Sequence, residues 1–395
     1  MSKLFMFEKP LGMRDTFPNL YQAKASLKTK MEETMKAWGY QFIETPTLEY
    51  FETVGEASAI LDRQLFKLLD QQGHTLVLRP DMTAPIARVA ASKLLQNKQP
   101  LRLAYCANVF RAQQREGGRP AEFEQFGIEC IGDETISADG EVISLMISSL
   151  KTAGLKNFTI SIGHIGFVRE LFKEILGTEE RANTLSRFLY EKNYVGFREH
   201  VNQLSLSSID KQRLLSFLKI RGGKDVLQEA YPLMEGQAGR EAIGQLEELS
   251  ALLEDYGLAE FVKFDLSLVS HMSYYSGILF ETYAENVGFP IGNGGRYNKL
   301  MEKFGKESGA TGFALKLDHI LEGLGFPESP VTDHCVLFSR ERRGEAISFA
   351  QELRSQGKSV VLQDWKGITD VDEFSKEFTE VSYFIGKNGK GGEEQ

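Results

Sequence analysis

Leu101-Arg102-Leu103-Ala104-Tyr105-Cys106-Ala107-Asn108-Val109-Phe110-Arg111-Ala112, a polar stretch from Gln113 to Pro120, and Ala121-Glu122-Phe123-Glu124-Gln125-Phe126-Gly127-Ile128-Glu129-Cys130-Ile131 follow one another near the first third of the chain. Two extended runs around a loop containing Gly117-Gly118 predict a long antiparallel hairpin. Side chains alternate along a strand, so Phe123, Gln125, Gly127 and Glu129 share one face and Phe126, Ile128 and Cys130 the other. The apolar face is expected to pack on a core. The opposite face carries an amide and a carboxylate flanking a glycine, which leaves room for a ligand but also fits a solvated sheet face. On the first strand Val109, Arg111 and Gln113 share a face. An arginine in an otherwise apolar strand meets a carboxylate or a phosphate, and a structural ion pair fits as well as a ligand.

Around the hairpin the pattern alternates between helix and strand. Residues 20–38 read as an amphipathic helix with Leu27, Met31, Met35 and Trp38 on one face, closed by Gly39. A strand is expected from Tyr40 to Pro46, a short one from Leu76 to Leu78, a turn at Arg79-Pro80-Asp81-Met82-Thr83 and a helix from Ala84 to Leu95. Residues 167–256 read as a helical insertion, and strand signals return at Phe261–Val269 and Ile278–Tyr283. Gly292-Asn293-Gly294-Gly295 fits a phosphate cradle or a plain turn. Residues 312–321 read as a strand running into a helix. Beyond a linker at 326–330, residues 331–385 read as a small βαβαβ unit, and 386–395 as a disordered tail.

Composition bounds the function. The chain has 395 residues, 46 basic against 55 acidic side chains and a formal net charge of −9. That balance argues against a protein built to grip nucleic acid by its phosphates. No stretch approaches the roughly 20 apolar residues of a membrane span. Cys106, Cys130 and Cys335 are far apart and cannot all pair, so reduced thiols in the cytoplasm are expected. The six histidines show no metal-ligand spacing, and no metal or cofactor is expected. The expected fold class is α+β, an antiparallel sheet flanked by helices.

At the hairpin the chain resembles the class II aminoacyl-tRNA synthetases, and histidyl-tRNA synthetase most. Val109-Phe110-Arg111-Ala112-Gln113, Arg119 and Glu122 to Glu129 resemble the second signature motif. Tyr40 to Pro46 resembles the first, whose proline lies at the dimer interface. Residues 78–84 resemble the loop that holds the substrate's α-amino group, and residues 268–277 a histidine-specific segment. Gly294-Gly295-Arg296-Tyr297 and residues 312–319 resemble the late sheet strand and the third motif. The resemblance implies a synthetase-like domain over 1–325 and a histidine site made of Asp81, Thr83, Arg111, Gln125, Glu129, Tyr274 and Tyr275.

The departures carry the functional expectation. Ser270 stands where the synthetases have the arginine that helps form the adenylate, and Ser273 where they have an aspartate. His319 stands where an arginine grips the ATP γ-phosphate, and Gln113 replaces a glutamate. Losing one positioned group that stabilises transition-state charge costs on the order of 10² to 10³ in rate, and here two are gone. Residues 331–395 hold nine Lys/Arg against twelve Asp/Glu and look shorter than an anticodon-binding domain, a poor RNA clamp.

A kept histidine pocket, lost ATP chemistry and a degraded tRNA module together resemble the regulatory subunits of ATP phosphoribosyltransferase. This resemblance implies no catalysis by the chain itself. It implies a homodimer assembled with a short-form catalytic subunit into a hetero-oligomer, and feedback inhibition by L-histidine in the first step of histidine biosynthesis. A divergent histidyl-tRNA synthetase is the alternative, and a synthetase-derived stress sensor a third reading.

Overall fold

A computed structural model describes residues 8–95, 100–112, 120–270, 274–325 and 332–386. The residues separate into two compact units, Met1–Phe326 and Pro327–Gln395.

The first unit is organised by a nine-stranded sheet. Its order from one edge is Gln41–Phe42, Leu101–Phe110, Glu122–Ile131, Ala310–Lys316, Gly292–Arg296, Ile278–Ala284, Phe158–His164, Val262–Asp265 and Arg221–Gly222. Six of its eight pairings are antiparallel. Gln41–Phe42 runs parallel to Leu101–Phe110, and Phe158–His164 parallel to Val262–Asp265. The sheet is therefore mixed rather than purely antiparallel, with helices on both sides.

The hairpin pairs Leu101 with Ile131 and Phe110 with Glu122. Its alternation divides the core as the sequence predicts. Ala104, Phe126, Ile128 and Cys130 join one apolar cluster with Leu27, Met31 and Met35 of the helix Pro18–Ala37 and with the helix Ile136–Ala153. Leu103, Tyr105, Val109, Phe123 and Ile131 join a second cluster with Ile86, Tyr274, Tyr275 and Tyr297. Each large apolar side chain so buried contributes about 1.5–3 kcal/mol. Gln125 and Glu129 lie under this second layer, so their face is buried and not solvated.

Several expected elements are shorter or different. The strand expected over 40–46 reduces to Gln41–Phe42, because Ile43 to Pro46 leads away into a separate small sheet, Leu48–Tyr50, Thr75–Leu78 and Lys67–Leu69. The helix expected over 84–95 is α-helical from Thr83 to Val89 and continues as a wider π turn to Leu94. Gly292–Arg296 is a sheet strand and not a turn, in keeping with the late strand that the resemblance implies. The helix Ile136–Ala153 and the strand Phe158–His164 have no counterpart in the sequence reading.

Between Ile165 and Asp255 the chain is mostly helical: Ile165–Leu176, Glu179–Tyr190, Tyr194–Gln203, Ser208–Phe217 and Gln237–Asp255. His164 starts it. Its Nδ1 accepts from the backbone N–H of Gly166 at 3.1 Å, and its Nε2–H donates to Gln245 at 2.8 Å. Burial pulls its pKa down to about 4, which keeps the cap neutral.

The second unit has a three-stranded parallel sheet, Val360–Asp364, Thr332–Phe338 and Phe378–Phe384 in that order, with helices Arg343–Ser355 and Val371–Ser375. The expected linker at 326–330 and the tail from 387 lie outside the described residues.

Candidate functional site

The strand register builds a pocket on the second face of the sheet. Glu129 pairs with Gly312, and Gly312 with Gly295; one step along, Gly127 pairs with Ala314, and Ala314 with Asn293. Gly312 is required because a Cβ there would sit 2.0 Å from Glu129 Oε2. Gly127 serves a different purpose from the one its position suggests. A Cβ there would meet the Phe313 carbonyl oxygen at 2.1 Å and the Tyr105 hydroxyl at 2.5 Å, so its missing side chain accommodates neighbouring protein atoms rather than ligand.

Asp81, Thr83, Arg111, Gln125, Glu129, Tyr274 and Tyr275 all line this one pocket. They come from the turn before the helix Thr83–Val89, the two ends of the hairpin, and the segment leading into Ile278–Ala284. Asn293, Gly294, Gly295, Tyr297, Gly312, Phe313 and Ala314 complete the lining. The cavity they leave is about 20 Å³. The enclosure is narrow.

Its chemistry is rich in acceptors. Glu129 is 1% exposed, and the Tyr297 hydroxyl donates to its Oε2 at 2.5 Å. Burial pushes the Glu129 carboxyl up to about 8, despite the Tyr297 and Thr83 hydroxyls that favour its ionised form. Asp81 Oδ1 accepts from the Ala84 N–H at 3.0 Å, while Oδ2 is buried with no hydrogen-bond partner among the described residues. Burial raises Asp81 to about 6, partly offset by the Ala84 N–H and the Arg111 guanidinium. Gln125 Oε1 is likewise buried and unpartnered. Buried acceptors without donors are rare, and two in one pocket call for a ligand that brings N–H groups. Arg111 Nε donates to the Pro80 carbonyl at 2.8 Å, and its guanidinium lies 5.4 Å from the Phe123 ring. Among the described lining residues it is the cation. Asn293 Nδ2 donates to the Tyr275 hydroxyl at 3.3 Å.

Of the positions that depart from the synthetase pattern, His319 is engaged in other contacts. His319 donates through Nδ1 to the Pro290 carbonyl at 3.1 Å, packs against Phe289, and is held toward its neutral form by burial. Arg296 points into the core beneath the strand. Its Nη2 reaches Asp139 Oδ2 at 2.6 Å and its Nη1 the Asp133 carbonyl at 3.0 Å, a buried structural pair. Ser270 is described and uncharged. Gln113, Arg119 and Ser273 lie outside the described residues.

Comparison with known proteins adds to this geometry. The family model described as histidyl-tRNA synthetase matches residues 12–320, and the one described as "Histidyl-tRNA synthetase HisZ, C-terminal domain" matches 335–386. A Geobacillus kaustophilus protein named ATP phosphoribosyltransferase regulatory subunit is 61% identical over 99% of both chains. The chain belongs to the ATP phosphoribosyltransferase regulatory subunits. A Bacillus halodurans crystal structure titled ATP phosphoribosyltransferase regulatory subunit/histidyl-tRNA synthetase shares 55% identity, covers 98% of this chain and all of that one, and superposes with a TM-score of 0.90. A Nostoc histidyl-tRNA synthetase, 19% identical with a TM-score of 0.77 over 94% of this chain and 88% of its own, shares the fold.

Tyr297, Asn293 and Gly312 are among the pocket residues absent from the expected histidine site. The Gly-Gly-Arg-Tyr run was the available signal for Tyr297.

Proposed function

We propose that this regulatory subunit binds L-histidine in the pocket between Asp81 and Glu129 and acts with a short-form ATP phosphoribosyltransferase catalytic subunit, whose activity it enables and makes sensitive to histidine. One observation carries the reading. Two buried acceptors, Asp81 Oδ2 and Gln125 Oε1, are unpartnered beside a carboxylate held by Tyr297. An α-ammonium satisfies the first two, and an imidazole N–H the third. Arg111 faces the ligand's carboxylate. Asp81, Thr83, Gln125, Glu129, Tyr274 and Tyr275 form the remaining contacts.

Feedback requires that histidine bind one state of the assembly better than another, with a coupling of about 1–3 kcal/mol. A homodimer within the hetero-oligomer is supported by the small sheet. Leu48, Tyr50 and Leu68 are exposed side by side on one of its faces. Among the described residues no helix is long and apolar enough to cross a membrane. The three cysteines are unpaired, which supports a reducing cytoplasmic setting. The acidic balance of residues 331–395 supports a partner set without nucleic acid.

The test is phosphoribosyl-ATP formation by a short-form catalytic subunit, with and without this chain, across histidine concentrations. Activation that histidine reverses is expected. An unchanged rate, together with histidine-dependent ATP–pyrophosphate exchange by this chain alone, would return the synthetase reading.

A further inference from the structure

The helix Glu179–Tyr190 in the helical insertion ends in an unusual way. The Lys192 N–H bonds the Leu189 carbonyl at 3.0 Å and the Asn193 N–H bonds the Phe188 carbonyl at 2.8 Å. This is the double hydrogen bond that closes a helix through one left-handed residue, a place that favours glycine. Elsewhere the chain follows that rule. Gly39, Gly257, Gly305 and Gly357 each close a helix with the same pair of bonds and φ between +69° and +84°. Here the left-handed residue is Lys192, at φ +54°. A lysine in a left-handed position where glycine would carry no strain points to a role for the side chain.

That side chain leaves the insertion and reaches the central sheet. Lys192 Nζ donates to the Tyr283 hydroxyl at 2.7 Å and to Glu281 Oε2 at 3.1 Å, and Tyr283 in turn donates to Glu281. Glu281 is the cross-strand partner of Asn293, so their side chains are neighbours on one face. Asn293 lines the pocket and donates to the Tyr275 hydroxyl. A short polar path therefore runs from Tyr275 in the pocket through Asn293, Glu281 and Tyr283 to Lys192. An exposed ion pair alone is worth little. The left-handed lysine and its position at the end of this path set it apart.

We propose that Lys192 is a latch that couples histidine occupancy of the pocket to docking of the helical insertion on the sheet. The inference rests on the reading of the pocket as a histidine site. When a ligand engages Tyr275, the Asn293 amide is fixed and Glu281 is held where Lys192 grips it. The latched insertion and the occupied pocket are then one state, and each favours the other.

Amide hydrogen exchange of the full chain, with and without L-histidine, tests it. In the unaltered chain histidine slows exchange in residues 179–203 by about fivefold or more. K192G removes the ammonium while placing glycine where the backbone favours it, so the melting temperature holds or rises. Histidine still binds K192G in calorimetry but no longer slows exchange there. Y283F, which removes the bridging hydroxyl, behaves likewise. If histidine binds the unaltered chain without slowing exchange in 179–203, or slows it equally in K192G and Y283F, the latch is wrong and the pocket reading stands. If the unaltered chain binds no histidine, the pocket reading fails and takes the latch with it.

Discussion

Replacing Glu129 by glutamine separates the charge of the pocket from its shape. In the empty protein this carboxyl keeps its proton up to about pH 8, so at neutral pH the amide replaces a mostly neutral acid. Tyr297 continues to donate to the amide oxygen. The fold should therefore tolerate E129Q near pH 7. Ligand binding should not, because a charge-assisted hydrogen bond becomes a neutral one. A loss of about 1.5–3 kcal/mol corresponds to a dissociation constant raised about 10- to 150-fold.

The pH profile is the sharper readout. A carboxyl so reluctant to ionise in its dry site keeps a proton shared with the imidazole when the ligand is bound. Free histidine titrates at about 6.5. Between that value and about 8, the separated partners hold one proton between them, as does the bound pair, so affinity is flat. Below about 6.5 binding expels a proton and weakens as pH falls. Above about 8 it must take one up and weakens as pH rises. The unaltered chain thus shows a maximum, and E129Q falls less steeply on the alkaline side, where only the deprotonation of the ligand's α-ammonium remains.

Stability carries the same sign. The folded pKa is raised from 4.5 to about 8, so the contribution is fully present below 4.5, shrinks as pH rises from there and is lost by the time pH passes 8. The melting temperature of the empty protein therefore falls between those two values and levels off above them, and falls less in E129Q. Calorimetric titration from pH 5.5 to 9.5, alongside thermal melts, measures both. An E129Q protein with unchanged affinity and an intact alkaline limb would remove Glu129 from the binding site.

Other perturbations address separate parts of the molecule. D81N leaves an amide N–H where an ammonium needs an acceptor, and histidine affinity should fall at least about tenfold in the same titration. R296M strands the buried Asp139 carboxylate, and urea unfolding should show a loss of about 3–5 kcal/mol; an unaffected midpoint would deny the pair its structural role. G312A brings a methyl against Glu129 Oε2 and the Ile128 carbonyl, so it should abolish histidine binding and lower stability by about 1–3 kcal/mol in thermal melts.

How far the residues could be read in advance depends on the range over which their signals act. Alternation along Phe123 to Ile131 is local, so the division of the hairpin between two cores follows from period two alone. The seven pocket candidates came together because motif resemblance already encodes long-range proximity. What no local period reports is that Glu129 lies beside Gly312, 183 positions later, or that Gly127 makes room for Tyr105. The helix Ile136–Ala153 escaped for a different reason. Asp139, Gly140, Ser144 and Ser149 are all buried in it, so the polar stripe that marks a surface helix is missing. Phe158-Thr159-Ile160-Ser161-Ile162 has a plain alternation that a closer reading of that stretch detects.

The narrowness of the pocket has a kinetic consequence. The cavity between Asp81 and Glu129 is far smaller than an amino acid, so on the proposed reading the side chains around it must part before histidine enters. Release would need the same parting, so residence time would be governed by protein motion as well as by contact strength. A sensor of that kind would respond to the level of its ligand averaged over that time, and brief fluctuations in supply would pass unregistered.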